Sequence, residues 1–206
     1  MSLADQNDAD TEFDLKSEQS KRVNNIIKES LEELFKNFPR LNFLVFGPGV
    51  GTKEFETHRL AVKNMIIDKK KQNADLPEEI DEQVINGIIE DSSGSTSPLI
   101  KKVLGNPASK ELVMARGWDF LIILLMNIGA VSEFSLFMTN PTIAPKVRLF
   151  IPERYTNSEG FVNEGTVAMF KNAYDNIKTF RDAQDLLKKV CDTVEDLIIP
   201  RLPQVK

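Results

Sequence analysis

The residue types that build most metal and thiol sites are nearly missing from this chain. Among 206 residues there is one cysteine, Cys191, and one histidine, His58. A lone cysteine forms no intrachain disulfide, and the pair is too small for a zinc cluster of Cys and His ligands. Cys–His catalysis would require these two residues to meet. Any catalysis therefore falls mainly to carboxylates. Scarce thiols also fit a reducing, cytoplasmic setting. Long apolar runs are missing too. The longest is Phe120 to Met126, roughly a third of a membrane span. The N-terminus is polar and acidic, which is not the pattern of a signal peptide. An excess of basic charge is also lacking: 26 Lys and Arg face 31 Asp and Glu, for a net charge of -5. Broad nucleic-acid binding wants a basic face and is not expected.

What is present is ordinary globular material. Hydrophobic residues make up 41% and charged residues 28%, with 10 Gly and 10 Pro. This composition suits one domain able to bury a core without staples. Residues 1–17 are acidic and lack apolar periodicity, so they read as a disordered tail. Residues 18–206 read as a single α/β domain. Its leading helix covers 18–38, with Val23, Ile26, Ile27, Leu31, Leu34, Phe35 and Phe38 at helical spacing and Pro39 as the stop.

Leu41 to Phe46 is a short apolar run ending in Gly47-Pro48-Gly49-Val50-Gly51, the pattern of a buried strand and a tight loop. A helix follows from Lys53 or Glu54 to about Lys70. Glu78 to Glu90 is amphipathic and reads as a helix, alone or joined to a short strand. Residues 91–98 are rich in Ser and read as a flexible loop. Trp118 to Met126 is apolar on both faces, as a central parallel strand should be. A helix is expected from Ala130 or Val131 to Met138, and a strand from Lys146 to Pro152. Glu164 to Tyr174 reads as a helix and Ile177 to Phe180 as an edge strand. Asp182 is the expected N-cap of the last helix. Alternating strands and helices indicate a three-layer, Rossmann/flavodoxin-like α/β domain with a mainly parallel sheet and the added N-terminal helix.

Ligands in such sheets sit beyond the carboxyl ends of the strands. Three loops there carry candidates. The loop holding Gly47 and Gly49 fits neither the P-loop nor the dinucleotide fingerprint. It is either a tight turn or a place where phosphate or ribose approaches the backbone. The loop Asn127-Ile128-Gly129-Ala130 leads into a helix carrying Ser132 and Glu133. In the first turn of that helix, Glu133 would feel the positive end of the dipole, stay ionised at neutral pH and be able to act as a nucleophile. Acidic residues are also common in first turns for purely structural reasons. The late loop, 157–165, offers Asn163 as an amide contact and Glu164 as a second carboxylate, or is an ordinary polar loop. His58 is either a surface helical residue or a phosphate or ribose contact. Asp119, Trp118 and Cys191 read as structural.

The run Asp119-Phe120-Leu121-Ile122-Ile123-Leu124-Leu125, followed by Gly129-Ala130-Val131-Ser132-Glu133-Phe134, resembles the nucleoside 2-deoxyribosyltransferase-like superfamily. The nearest likeness is to the deoxyribosyltransferase-like effectors of bacterial retron defence systems. The resemblance spans Leu41 to Ile198 discontinuously. It implies cleavage or transfer at the N-glycosidic bond of a nucleoside, a nucleotide or NAD. Glu133 takes the position of the nucleophile or ribose-stabilising acid. Gly129 and Ser132 frame it and, with Asn127 of the same loop, are expected to bind substrate, as are Asn163 of the late loop and Gly47 and Gly49 near ribose or phosphate. No cofactor or metal is implied, NAD counting only as a substrate, and a homodimer is expected. The transferases carry acidic residues just after the central strand. Here Met126-Asn127-Ile128 holds none, which makes hydrolysis as good an expectation as transfer. A non-catalytic nucleotide sensor or an interaction protein of a defence system, on the same fold, is the alternative.

Overall fold

The computed structural model describes Arg22 and residues 40–93, 106–156 and 165–201. The acidic tail, and the leading helix apart from the helical Arg22, lie outside the described residues. The chain divides into two units, Met1–Pro39 and Arg40–Lys206. The second unit holds everything below.

Five parallel strands form its sheet: β1 (Asn42–Phe46), β2 (Asn73–Asp75), β3 (Phe120–Leu124), β4 (Val147–Pro152) and β5 (Ile177–Phe180). Their spatial order is β2-β1-β3-β4-β5. The helices are α1 (Ala61–Lys70), α2 (Glu82–Ser93), α3 (Pro107–Gly117), α4 (Ile128–Met138), α5 (Thr166–Tyr174) and α6 (Ala183–Ile198). A π-helical segment, Phe55–Leu60, leads directly into α1. The fold is the three-layer, Rossmann/flavodoxin-like arrangement expected from alternating strands and helices.

Both sheet faces are apolar because successive strand residues point opposite ways. Leu44, Phe46, Leu121, Ile123, Val147, Leu149 and Ile151 join one core with residues of α2, α3, α4 and α5. Phe43, Val45, Ile122, Leu124 and Phe150 are buried on the other face, as are Val62 and Ile66 of α1 and Leu186, Val190 and Val194 of α6. This two-sided burial explains why Phe43–Phe46 of β1 and all of β3 read as apolar runs, while Arg148 interrupts the run in β4. Asp182 caps α6, its side chain accepting from the Asp185 backbone N–H at 2.9 Å. Asn106 caps α3 in the same way, with Pro107 at the first helical position.

One strand, β2, is not anticipated by the sequence reading. It is only Asn73–Asp75 and has no apolar run; its register against β1 is Asn42 to Asn73, Phe43 to Ala74 and Leu44 to Asp75. The stretch expected as a loop at 91–98 begins as helix, because α2 continues through Ser93. No Gly or Pro interrupts α2 after Gly87 until Gly94, and helical propensity alone does not exclude Ser or Asp. The rest of that stretch lies outside the described residues. No helix of the described residues is long and apolar enough to cross a membrane.

Candidate functional site

The chain leaves β1 toward β2 on one side and returns to β3 on the other. The loops after β1 and β3 therefore diverge, opening a crevice at the carboxyl ends of these two strands. Gly47 begins the β1 loop with φ 153°. A Cβ added there would stand 3.0 Å from Leu124 Cβ, so glycine is what lets the loop lie against the end of β3. Gly49 faces open space. Thr52 closes the loop: its Oγ1 donates to the Gly49 carbonyl at 2.8 Å and accepts from the Phe55 N–H at 3.1 Å.

Arg59 organises this crevice, and nothing in the sequence marks it. Its side chain is 3% exposed. Nε donates to the Val45 carbonyl at 3.1 Å and Nη1 to the Pro48 carbonyl at 3.2 Å. The fork then grips Glu78 in two bonds, at 2.8 and 2.7 Å. One guanidinium thus ties the end of β1, the glycine loop and the segment after β2 to the π-helical turn that carries it. Such bidentate pairs are the strong form of ion pair. π-Helical turns often mark functional positions. A basic residue among Leu60, Val62 and other helical positions would ordinarily be read as solvent-facing.

Glu133 lies on α4, and here the sequence expectation is corrected. Asn127 caps the helix, its Oδ1 accepting from the Ala130 N–H at 2.8 Å. The helix therefore opens at Ile128, and Glu133 falls in its second turn, where the dipole has faded. Burial instead pushes its carboxyl up to about 7 from the usual 4.5. The nearby Glu111 and Glu78 charges push the same way, against the pull of Arg59. One carboxylate oxygen, Oε2, is buried with no hydrogen-bond partner among the described residues. At neutral pH Glu133 is then a mixture of acid and carboxylate, not the fully ionised group expected from a first-turn position. Glu111, on α3, is also pushed up by burial. Glu133, Glu111, Glu78 and Arg59 therefore share one electrostatic neighbourhood at the switch point of the sheet.

The other sequence candidates divide. Gly47 and Gly49 flank Pro48, whose carbonyl Arg59 holds, so they border the same neighbourhood. The Asn127 side chain is committed to capping α4. Ser132 is exposed and its hydroxyl donates back to the Ile128 carbonyl at 3.1 Å. Gly129 is exposed, and an added Cβ would meet Asn127 Oδ1 at an ordinary 3.6 Å. Asn163 and Glu164 lie outside the described residues. His58 neighbours Arg59 in sequence but borders a different pocket, with Phe180 6.1 Å from its ring. Asp119 is structural: its Oδ2 accepts from the Asn42 backbone N–H at 2.8 Å. Trp118 packs in the core and donates its indole N–H to Asp75 at 2.9 Å. Among the described residues no cluster of three or more His, Cys, Asp or Glu is arranged to hold a metal ion.

No curated protein matches the chain. The family model described as STM3845 retron effector protein matches residues 56–202. That span holds Arg59, Glu78, Glu111 and Glu133 and begins after the glycine loop. With most of its length matched, the chain belongs to the STM3845 retron effector protein family.

Proposed function

We propose that this retron effector cleaves or transfers at the N-glycosidic bond of a nucleotide, a nucleoside or NAD, with Glu133 facing the ribose. Membership of the retron effector family accounts for a role in a defence system. The deoxyribosyltransferase-like pattern around Glu133 supplies the reaction class. The observation that carries the reading is the unpartnered, buried Glu133 oxygen at the switch point of a parallel sheet. A buried carboxylate that lacks solvation gains most from a positive charge developing beside it. An oxocarbenium-like ribose provides that charge only in the transition state, which is the condition for catalysis rather than mere binding.

In the step envisaged, ionised Glu133 bonds to the anomeric carbon as the C–N bond breaks. A nucleobase leaves with the electron pair and takes up a proton; the nicotinamide of NAD, already cationic, leaves neutral with that pair and needs none. Glu111, held toward its protonated form by burial, supplies that proton or orients the water that does. Water or an acceptor hydroxyl then displaces Glu133 from the sugar and gives up its proton to the same carboxylate. Arg59 keeps Glu78 occupied and the glycine loop fixed while this happens.

The test is release of free base, followed by chromatography, from NAD and from panels of nucleosides and nucleotides. Wild type is expected to release base from at least one of them. Glu133→Gln should lower the rate by roughly a hundredfold or more. Release should also fall as the pH drops below about 7, where Glu133 takes up its proton. Equal release by the variant, or none by wild type from any compound, would falsify the catalytic claim. Tight binding with no release would favour a nucleotide sensor.

A further inference from the structure

A second polar locus lies at the carboxyl ends of β3, β4 and β5, beside the crevice but separate from Glu133. Its pocket has a volume of about 120 Å³. Met126 and Phe180 give it an apolar floor. Its walls are Glu54 and His58 from the helix after the glycine loop, Arg154 from the turn after β4, and Arg181 from the turn after β5. The lining thus carries two guanidiniums from different loops and one exposed carboxylate, and is net positive even with His58 neutral, with Asp185 outside the lining 3.7 Å from Arg181.

The donors are available. The Arg154 guanidinium lies over the Tyr155 ring, 5.0 Å from its centre, which orients it without using its N–H groups. It makes no hydrogen bond or ion pair with the described residues. The Arg181 side chain is 70% exposed, and its Nε stands 3.7 Å from Asp185, too far for a direct hydrogen bond. His58 is oriented by its neighbour. The Thr57 hydroxyl donates to the Lys53 carbonyl at 2.9 Å, so its oxygen accepts from His58 Nδ1–H at 2.7 Å. His58 Nε2 is then the ring atom left to meet a ligand.

Arginine forks present paired donors that match phosphate oxygens, and His58 adds a third only when its Nε2 takes up a proton, which a bound phosphate would favour. The charges lining the pocket suit one small anionic group. Its floor also connects to the Glu133 site. Met126 belongs to the pocket, and the next residue, Asn127, caps the helix that carries Glu133. Two strand spacings, roughly 10 Å, separate the β1–β3 crevice from the β4–β5 ends. That is the scale of a nucleotide. We propose that Arg154, Arg181 and His58 form a phosphate subsite, so that the substrate is a phosphorylated nucleoside or dinucleotide and not a free nucleoside. This rests on the reading of Glu133 as the ribose-facing group, but its own geometry is independent of that residue.

His58 is the only histidine of the chain, so its imidazole proton signals in an NMR spectrum need no assignment by mutation. The full chain would be titrated with ribonucleoside 5′-monophosphates, NAD, the matching nucleosides, and inorganic phosphate. Phosphorylated compounds should bind about tenfold or more tightly than matching nucleosides and than inorganic phosphate. They should also raise the titration midpoint of His58, which burial otherwise lowers against the pull of Glu54 and with the push of Arg154. Replacing both arginines by Gln should abolish the preference, and Glu133→Gln should retain it. Both arginines are exposed, so the double variant should fold, and far-ultraviolet circular dichroism checks that it does. Equal affinity for nucleosides and nucleotides overturns the subsite, as does a preference that survives loss of both arginines. Inorganic phosphate binding as tightly as the nucleotides overturns its assignment to a nucleotide. Base release without a phosphate preference sinks the subsite and leaves Glu133 standing. A phosphate preference without base release does the reverse.

Discussion

Glu133 should make the folded chain less stable as the pH rises. The carboxyl titrates near 7 in the folded protein, against 4.5 ordinarily. Below 4.5 both folded and unfolded chains hold the proton, and the residue is neutral to stability. Between 4.5 and about 7 the unfolded chain ionises while the folded chain does not, so stability drains away with each pH unit. Above about 7 the whole loss is present. A shift of this size corresponds to about 3 kcal/mol, or about 2–3 once the solvent that reaches this half-buried residue is allowed for. Glu133→Gln keeps the shape and removes the titration. Urea unfolding of both proteins from pH 4.5 to 8.5 checks this directly. The variant should match wild type near pH 4.5 and exceed it by about 2–3 kcal/mol at pH 8. Glu111 shifts in the same direction but is common to both proteins, so the comparison cancels most of its share. A difference that stays flat across the range would refute the reasoning, as would a variant less stable than wild type at pH 8. Either result would mean that solvent or an ordered partner satisfies the oxygen.

Three further outcomes test the frame around the site. Arg59→Met keeps the aliphatic stem but strands the Val45 and Pro48 carbonyls and Glu78, and should cost about 3 kcal/mol in urea unfolding. It should also move the Glu133 midpoint further above 7, measured by carbon NMR of the carboxyl, since Arg59 is the charge that opposes the rise. Gly47→Ala should lose about 1–2 kcal/mol through its φ and the contact with Leu124, whereas Gly49→Ala, which meets open space, should melt within a degree or two of wild type. Asn127→Ala removes the cap of α4 and should cost about 1 kcal/mol, with base release lowered because Glu133 is carried on that helix.

How much of this was legible depended on whether a residue's task is local. The strands covered on both faces declared themselves as apolar runs, and β5 runs from Ile177 to Phe180 as its sequence suggests. The Asp182 cap was legible because a cap bonds only a few residues away. β2 was not. Three residues, Asn73-Ala74-Asp75, owe their extended form to pairing with β1, which is far away in sequence. The start of α4 was missed by two or three residues, and that small error mattered. It decided whether Glu133 sat at the positive end of a dipole or in a low-dielectric wall.

The same distinction explains the site. Glu133 could be picked out because it follows a buried strand and a loop of small residues, a local pattern. Its protonation could not, because that is set first by burial in the folded chain and then by Glu111 and Glu78, which lie more than twenty residues away in the sequence. Arg59 is the extreme case. On its own helix it is one basic residue among many, and only the convergence of Val45, Pro48 and Glu78 makes it a clamp. This has a consequence for the chemistry. A carboxylate cluster without a fixed cation would lower its own repulsion by binding a metal or by protonating fully. Arg59 removes the need for either, holding Glu78 as its partner and leaving Glu133 poised between its two forms. That is the state the proposed reaction requires, in which positive charge on the sugar builds up as the glycosidic bond breaks.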